Sequence, residues 1–321
     1  MKTITNLLWL GLALAAVSCT NTGFKKTKSG LLYKIYSDGK GAVAKKGNFL
    51  KLNFVQKVRD SVISTTEGSL PAYVPVDSSG PIYSPIEIFP MLRQGDSAVV
   101  VMLVDTLIRK YGSSQLPPFL KKKDKIVFGF KVLDLYASED LLKQDRDREM
   151  AKQKDREISE VQTYLSKNNI QAQKTDKGTF YVVQSEGSGP QVDSGKEVSV
   201  RYTGKLMPSG KIFESNMTGP GNAPLKFVVG TGRIIPGWDD ALRKFKQGGK
   251  GTLYVPAYMA YDQQRGPGGK SFENLIFEIQ VDSVNDAPKV APMPGRPDFP
   301  MPQRGAPQGR PQAAPPAQQH K

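Results

Sequence analysis

Gly178-Thr179-Phe180-Tyr181-Val182-Val183-Gln184-Ser185-Glu186-Gly187-Ser188-Gly189 restates an earlier stretch, Gly30-Leu31-Leu32-Tyr33-Lys34-Ile35-Tyr36-Ser37-Asp38-Gly39-Lys40-Gly41. The two glycine ends, the Tyr, the Ser and the acidic residue align. Three further pairs follow in order. Phe49-Leu50-Lys51-Leu52-Asn53-Phe54 matches Glu197-Val198-Ser199-Val200-Arg201-Tyr202, and both alternate as half-buried strands do. Arg93-Gln94-Gly95-Asp96 matches Lys246-Gln247-Gly248-Gly249, and Lys125–Val132 matches Asn274–Val281. Four matches in order at a nearly constant offset predict two copies of one fold. A chain of 321 residues has room for two domains.

Between the copies, residues 138–169 are rich in charge and lack Gly and Pro, which predicts a helix. Glu139 with Lys143, and Glu149 with Lys152 or Gln153, stand at helical spacing. Only the end is amphipathic, with Ile158, Val161 and Leu165 on one stripe, and Asn168-Asn169 stops it. The segment reads as a solvated connecting helix, with a homodimerising arm as the alternative.

The two ends differ from the middle. Residues 1–18 read as an export signal: Lys2, a short apolar core from Leu7 to Ala16, then Val17-Ser18. The run is too short to span a bilayer comfortably. Cys19, the sole cysteine, stands where a bacterial lipoprotein signal places its acylated residue. That predicts a lipid anchor on Cys19 in the bacterial cell envelope, facing the periplasm; an ordinary secretory signal is the alternative. Residues 19–28 then form a flexible, basic tether. Residues 287–321 are rich in Pro, Gln, Ala and Gly, a composition that predicts a disordered tail.

Composition removes several kinds of chemistry. One Cys and one His, His320 near the end of the tail, exclude an intramolecular disulfide framework, a Cys/His zinc site and a histidine triad. No cofactor or metal is expected. The net charge of +15 favours anionic surroundings, but the charges are dispersed and no nucleic-acid motif is present.

In the second copy six motifs occur in order: Arg201-Tyr202-Thr203-Gly204, Ser209–Ser215, Leu225–Gly230, Ile234-Ile235-Pro236-Gly237-Trp238, Val255-Pro256 with Ala260-Tyr261, and Leu275–Glu278. This run resembles the FKBP family of macrolide-binding peptidyl-prolyl cis–trans isomerases over Gly178 to Val284. The resemblance implies an α+β fold in which an antiparallel sheet wraps around one short helix. Residues 170–286 would be the isomerase domain and residues 29–137 a degenerate FKBP-like domain. Trp238, Leu242 and Phe245 fall at helical spacing after Pro236, which agrees with that helix.

Such a reaction needs no nucleophile, acid, base or metal. Amide resonance blocks rotation with a barrier of ~18–20 kcal/mol. The planar amide is more dipolar than the twisted one, so a dry apolar pocket favours the transition state over the ground state. The resemblance makes Trp238 the pocket floor and Tyr202, Phe213, Phe227 and Phe277 its walls. It makes the Ile235 N–H and the Tyr261 hydroxyl donors to substrate carbonyls, with Ile234 beside them. Glu214 stands where the family usually has Asp, and Leu225 replaces a common aromatic. Between Tyr261 and Leu275 the family's apolar roof gives way to polar, Gly-rich sequence, where Phe272 could substitute. Proline-containing unfolded or exported polypeptides are the implied partners. A peptide-binding chaperone or scaffold with lost turnover is the rival reading.

The first copy lacks these features. Phe54-Val55-Gln56 replaces Tyr-Thr-Gly, Ile63-Ser64-Thr65 stands where Phe and an acid would, and Ser84–Phe89 occupies the Gly-Trp stretch. It is expected to bind or space rather than catalyse.

Overall fold

The alternation at Val198, Val200 and Tyr202 turns all three side chains into one core, each 8% exposed or less. They lie on the central strand of a sheet whose layout occurs twice in the chain. The computed structural model describes residues 23–77, 83–217 and 222–287. The export-signal segment, Cys19, the first tether residues and the tail from residue 288 lie outside the described residues.

The first sheet contains β1 (Lys25–Lys26), β2 (Leu32–Tyr36), β3 (Phe49–Val58), β4 (Ser61–Thr65), β5 (Ala72–Pro75), β6 (Ser97–Leu103) and β7 (Lys125–Tyr136). Their order is β1-β2-β6-β7-β3-β4, with β5 beside β3. Helix α1 (Val104–Tyr111) lies between β6 and β7, and α2 (Glu139–Lys167) follows β7. The second sheet contains β8 (Gln173–Lys174), β9 (Phe180–Ser185), β10 (Lys196–Leu206), β11 (Ile212–Ser215), β12 (Leu225–Val228), β13 (Lys250–Val255) and β14 (Leu275–Asp286), with α3 (Pro236–Ala241) between β12 and β13. Its order is β11-β10-β14-β13-β9-β8, with β12 beside β10. Adding seven to each strand number of the first sheet, and reading from the other edge, reproduces the second. All pairings are antiparallel, and the fold is α+β.

Two expectations need correction. The tether was expected to be flexible to residue 28, yet Lys25–Lys26 pair with Leu32 and Tyr33 as an edge strand. Both lysine side chains stay exposed, so backbone hydrogen bonds rather than burial order this segment. The linking helix is not solvated all round. Ser138 caps it by accepting from the Leu141 N–H, and Asn169, at φ 54°, ends it. Its first half docks on the first sheet through polar groups: Lys51 Nζ lies 2.7 Å from Asp145 Oδ2, which also accepts from the Tyr73 hydroxyl at 2.6 Å. Its second half buries Val161 and Leu165 against Phe180, Tyr254 and Ile276 of the second sheet. A hydrophobicity stripe could not show the first contact, because it is made of charges. Lys143 pairs with Asp147 rather than with Glu139, whereas Lys152 does pair with Glu149.

Candidate functional site

Pro236 opens α3, where its missing N–H costs nothing. Gly237 follows because a Cβ there would sit 2.5 Å from Val255 Cγ1 on β13. The glycine lets the helix settle directly on the sheet, which drives Trp238, Ala241, Leu242 and Phe245 into the core at 1% exposure or less. The sheet then closes around the indole. Tyr202 from β10 meets it edge-on at 5.1 Å and Phe277 from β14 at 5.3 Å, and Phe227 from β12 tilts against it at 6.0 Å. Phe213 from β11 stands edge-on to Phe277 at 6.0 Å. Edge-to-face geometry of this kind adds about 0.5–1.5 kcal/mol per pair beyond area burial.

Gly204 is what admits Phe213. A Cβ on Gly204 would lie 2.5 Å from the Phe213 ring, so a bare backbone is the floor on which that ring rests. This gives the Tyr-Thr-Gly string a physical reason that spacing did not reveal.

The residues around the floor are more exposed than the floor itself. Trp238 keeps 1% of its surface, and its Nε1–H finds no acceptor among the described residues. Phe213, Leu225, Ile234 and Ile235 are partly exposed and pack on the aromatic cluster. Tyr261 is 37% exposed and Glu214 is exposed. Among the described residues neither the Ile235 N–H nor the Tyr261 hydroxyl has a hydrogen-bond partner.

Glu214 does face Tyr202. Burial, then the hydrogen bond to Glu214 and its charge, hold the Tyr202 phenol well above its ordinary value. Burial and the same carboxylate push Tyr261 up as well. Both shifts favour the protonated phenol over the phenolate.

The segment between Tyr261 and Leu275 is polar as its sequence indicated, and it braces itself. Phe272 N–H donates to the Asp262 carbonyl at 2.8 Å, Arg265 Nε to Gly269 at 2.8 Å, and Gly268 N–H to Glu273 Oε2 at 2.8 Å. Phe272 is buried, but it is not packed on the Trp238 cluster and makes no ring contact with it among the described residues. Its expected part as a substitute roof is not borne out. Tyr261 is steadied from beneath instead. Asp262 N–H donates to the Ala257 carbonyl, and Glu157 of α2, 1% exposed, accepts the Tyr258 N–H at 2.8 Å.

Sequence reading missed Asn216. Its Oδ1 accepts the Tyr202 N–H at 2.6 Å, and its Nδ2 donates to the carbonyls of Val200 and Ala223. It ties the start of the β11–β12 connection to the strand that carries Tyr202. No spacing rule marks a lone Asn in a loop. Asp239 and Asp240 follow Trp238 in the same short helix, but each has a specific partner beyond the helix dipole: Asp239 accepts from Gly230 N–H and Asp240 from the Thr175 hydroxyl.

In the first sheet the same strand positions are differently filled. By register, Gln56 faces Phe128 as Gly204 faces Phe277, and Ser64 faces Gln56 as Glu214 faces Gly204. Ile63, 44% exposed, takes the place of Phe213. A 3-10 helix, Pro85–Met91, stands in place of α3 and buries Phe89 edge-on to Phe130 at 5.6 Å. Helix α1 adds Leu107 to that core.

Residues 189–282 match the FKBP-type peptidyl-prolyl cis–trans isomerase family. The FK506-binding protein of Streptomyces anulatus is 38% identical over 101 residues, 31% of this chain and 80% of that protein. The chain belongs to the FKBP family. A second relative, peptidyl-prolyl cis–trans isomerase FKBP53 of Arabidopsis thaliana, is 37% identical over 128 residues, 39% of this chain. The chain spans only 20–30% of the length of this and other eukaryotic FKBP relatives. Among solved structures, FkpA from Escherichia coli is 28% identical, covering 47% of this chain and 69% of that one, with a TM-score of 0.37. The FKBP match lies in the second copy, the one that carries Trp238, Phe213 and Glu214.

Proposed function

We propose that this protein accelerates the cis–trans isomerisation of X-Pro bonds in exported polypeptides, using the cleft centred on Trp238. The observation that carries this reading is the aromatic cluster of Trp238, Tyr202, Phe227 and Phe277 together with two donors that have no partner among the described residues, Ile235 N–H and Tyr261 hydroxyl. A proline ring entering over the indole leaves water behind, which disfavours the dipolar planar imide. The rim donors hold the flanking carbonyls while the bond turns. Tyr202, kept neutral, and Glu214 line the side toward which the imide carbonyl rotates. Each 1.36 kcal/mol taken from the barrier is about a tenfold gain in rate. Uncatalysed X-Pro exchange takes tens to hundreds of seconds, which is slow enough to limit folding.

The setting we infer is the bacterial envelope, with Cys19 acylated and the first domain serving as a spacer or binding module without isomerase activity. Supporting this are the signal-like residues 1–18 and the loss, in the first copy, of every counterpart to Trp238, Phe213 and Glu214. Mass spectrometry of the mature N-terminus tests the anchor.

The test of activity is a proline-isomerisation assay on a short peptide, with Trp238→Ala as control. A rate for the intact protein equal to that of buffer overturns the enzyme reading. The near-complete burial of Trp238 favours one rival, a peptide-binding chaperone that has lost turnover. Trp9 lies in the signal segment, so Trp238 is the sole indole of the processed chain. A proline peptide that perturbs its fluorescence without hastening exchange selects the rival.

A further inference from the structure

The strand ends of the first sheet gather positive charge on one side. β6 is paired to its last residue and β7 from its first, Leu103 opposite Lys125, so the segment between them lies wholly at that end of the sheet, with Val104 and Leu107 tucked into the core. The turn between β3 and β4 lies at the same end, since Val58 pairs with Ile126. So does the turn between β1 and β2, since Leu32 pairs with Lys26 on one side and Val101 on the other.

From Val104 to Lys125 the chain carries six cations and two carboxylates. The turn Thr27–Gly30 adds Lys28. The carboxylates are occupied locally. Asp124 holds Arg59 at 2.5 Å and accepts the Lys121 N–H, and Asp105 accepts the Lys123 N–H. Asp60 is the remaining acid of the adjoining turn. By contrast Lys121, Lys122 and Lys123 are exposed and form no ion pair among the described residues. Two aromatic rings stand among these cations, Phe119 at 47% exposure and Tyr111 at 46%. Phe119 follows Pro117-Pro118, and Arg59 Nη2 donates to its backbone carbonyl at 3.1 Å, so the apolar tip is propped outward rather than folded into the core.

An exposed Phe inside a cluster of unpaired lysines is the arrangement that a bilayer interface rewards. Anionic headgroups draw the ammonium groups, and the ring enters the headgroup–acyl boundary. We propose that this basic, aromatic-tipped end of the first domain docks on the surface of an anionic membrane. The inference rests on the patch itself and not on isomerase activity. It fits the proposed anchor, because Cys19 lies six residues before β1, a reach of about 20 Å when extended. A nucleic acid would use the lysines but has no need of the proline-backed Phe119 tip, and so it is the competing outcome.

The experiment uses residues 19–321 with Cys19→Ser, the processed chain unable to carry acyl groups, and sedimentation with vesicles of phosphatidylcholine alone or with phosphatidylglycerol. We expect binding only to the anionic vesicles, weakened by added salt. The triple variant Lys121→Glu, Lys122→Glu, Lys123→Glu should lower partitioning about tenfold or more. Phe119→Ser should lower it at fixed charge. A charge-matched control, Lys177→Glu, Lys244→Glu, Lys250→Glu, should bind nearly as wild type. Any of three results overturns the proposal: no binding to anionic vesicles, equal loss in the control and the patch variants, or patch-dependent binding to a duplex DNA oligonucleotide that is tighter than to vesicles. Because the isomerisation assay is read on a soluble peptide, a failure here leaves that reading standing, and the reverse.

Discussion

Asn216 Oδ1 accepts the backbone N–H of Tyr202 at 2.6 Å, so a loop side chain replaces a strand partner beside the aromatic cluster. The same amide donates to Val200 and Ala223. Asn216→Ala leaves a part-buried N–H unsatisfied, which should cost about 1–3 kcal/mol by denaturant unfolding. Asn216→Asp keeps the acceptor and loses both donations, so its cost should be smaller. Equal costs would show that the acceptor role is not what matters.

Gly204→Ala places a methyl where the Phe213 ring lies. The ring must swing outward, and overpacking of this kind costs about 1–3 kcal/mol. Turnover of a short proline peptide should fall along with stability. The same change in a Phe213→Ala background should cost much less, which a double-mutant cycle would read as coupling.

Glu157 is buried between α2 and the Tyr258 N–H, and burial pushes its carboxyl above the usual range, helped by Asp262 and Glu160 and opposed by Gln153 and Tyr258. A carboxyl raised in the folded state stabilises most below its unfolded value, and that contribution fades as pH climbs through the folded one. Glu157→Gln removes the buried charge, and with the Gln153 amide turned over its new NH2 donates to Gln153 Oε1 while its oxygen keeps the Tyr258 N–H. The variant should therefore melt higher than wild type at pH 7, with the gap closing near pH 4. A constant gap across that range would contradict the assignment.

Asp145 behaves in the opposite sense. Burial alone would raise it, but Lys51, Tyr73 and Tyr136 hold it well below the carboxylate range. Stability from a lowered carboxyl is present above its unfolded value of about 4 and is lost as pH falls through the folded one. Asp145→Asn should cost about 1.5–3 kcal/mol at pH 7. The penalty should shrink on acidification, measured by thermal melts from pH 7 downward.

Much of this architecture was readable from the repeat and the six-motif run. Strand alternation marked β3 and β10, because each has one face in a core. The spacing of Trp238, Leu242 and Phe245 marked α3 for the same reason. What escaped reading has no period. Asn216 acts through three loop hydrogen bonds, Gly204 through the absence of a side chain, and α2 docks at Lys51 through ions that hydropathy counts as solvent-facing. Phe272 looked like a roof because it is apolar and nearby in sequence, but the Glu273 and Asp262 hydrogen bonds organise that loop instead. The sealing of Trp238 was also invisible, since it depends on how tightly four strands close around one ring.

Helix α2 runs 29 residues, about 43 Å, and is gripped at one end by Lys51 and Tyr73 and at the other by Phe180, Tyr254 and Asn274. A strut shared in this way links the melting of the two halves. When either sheet comes apart, the helix sheds partners that the surviving sheet still needs, so heat should dismantle both together rather than one after the other.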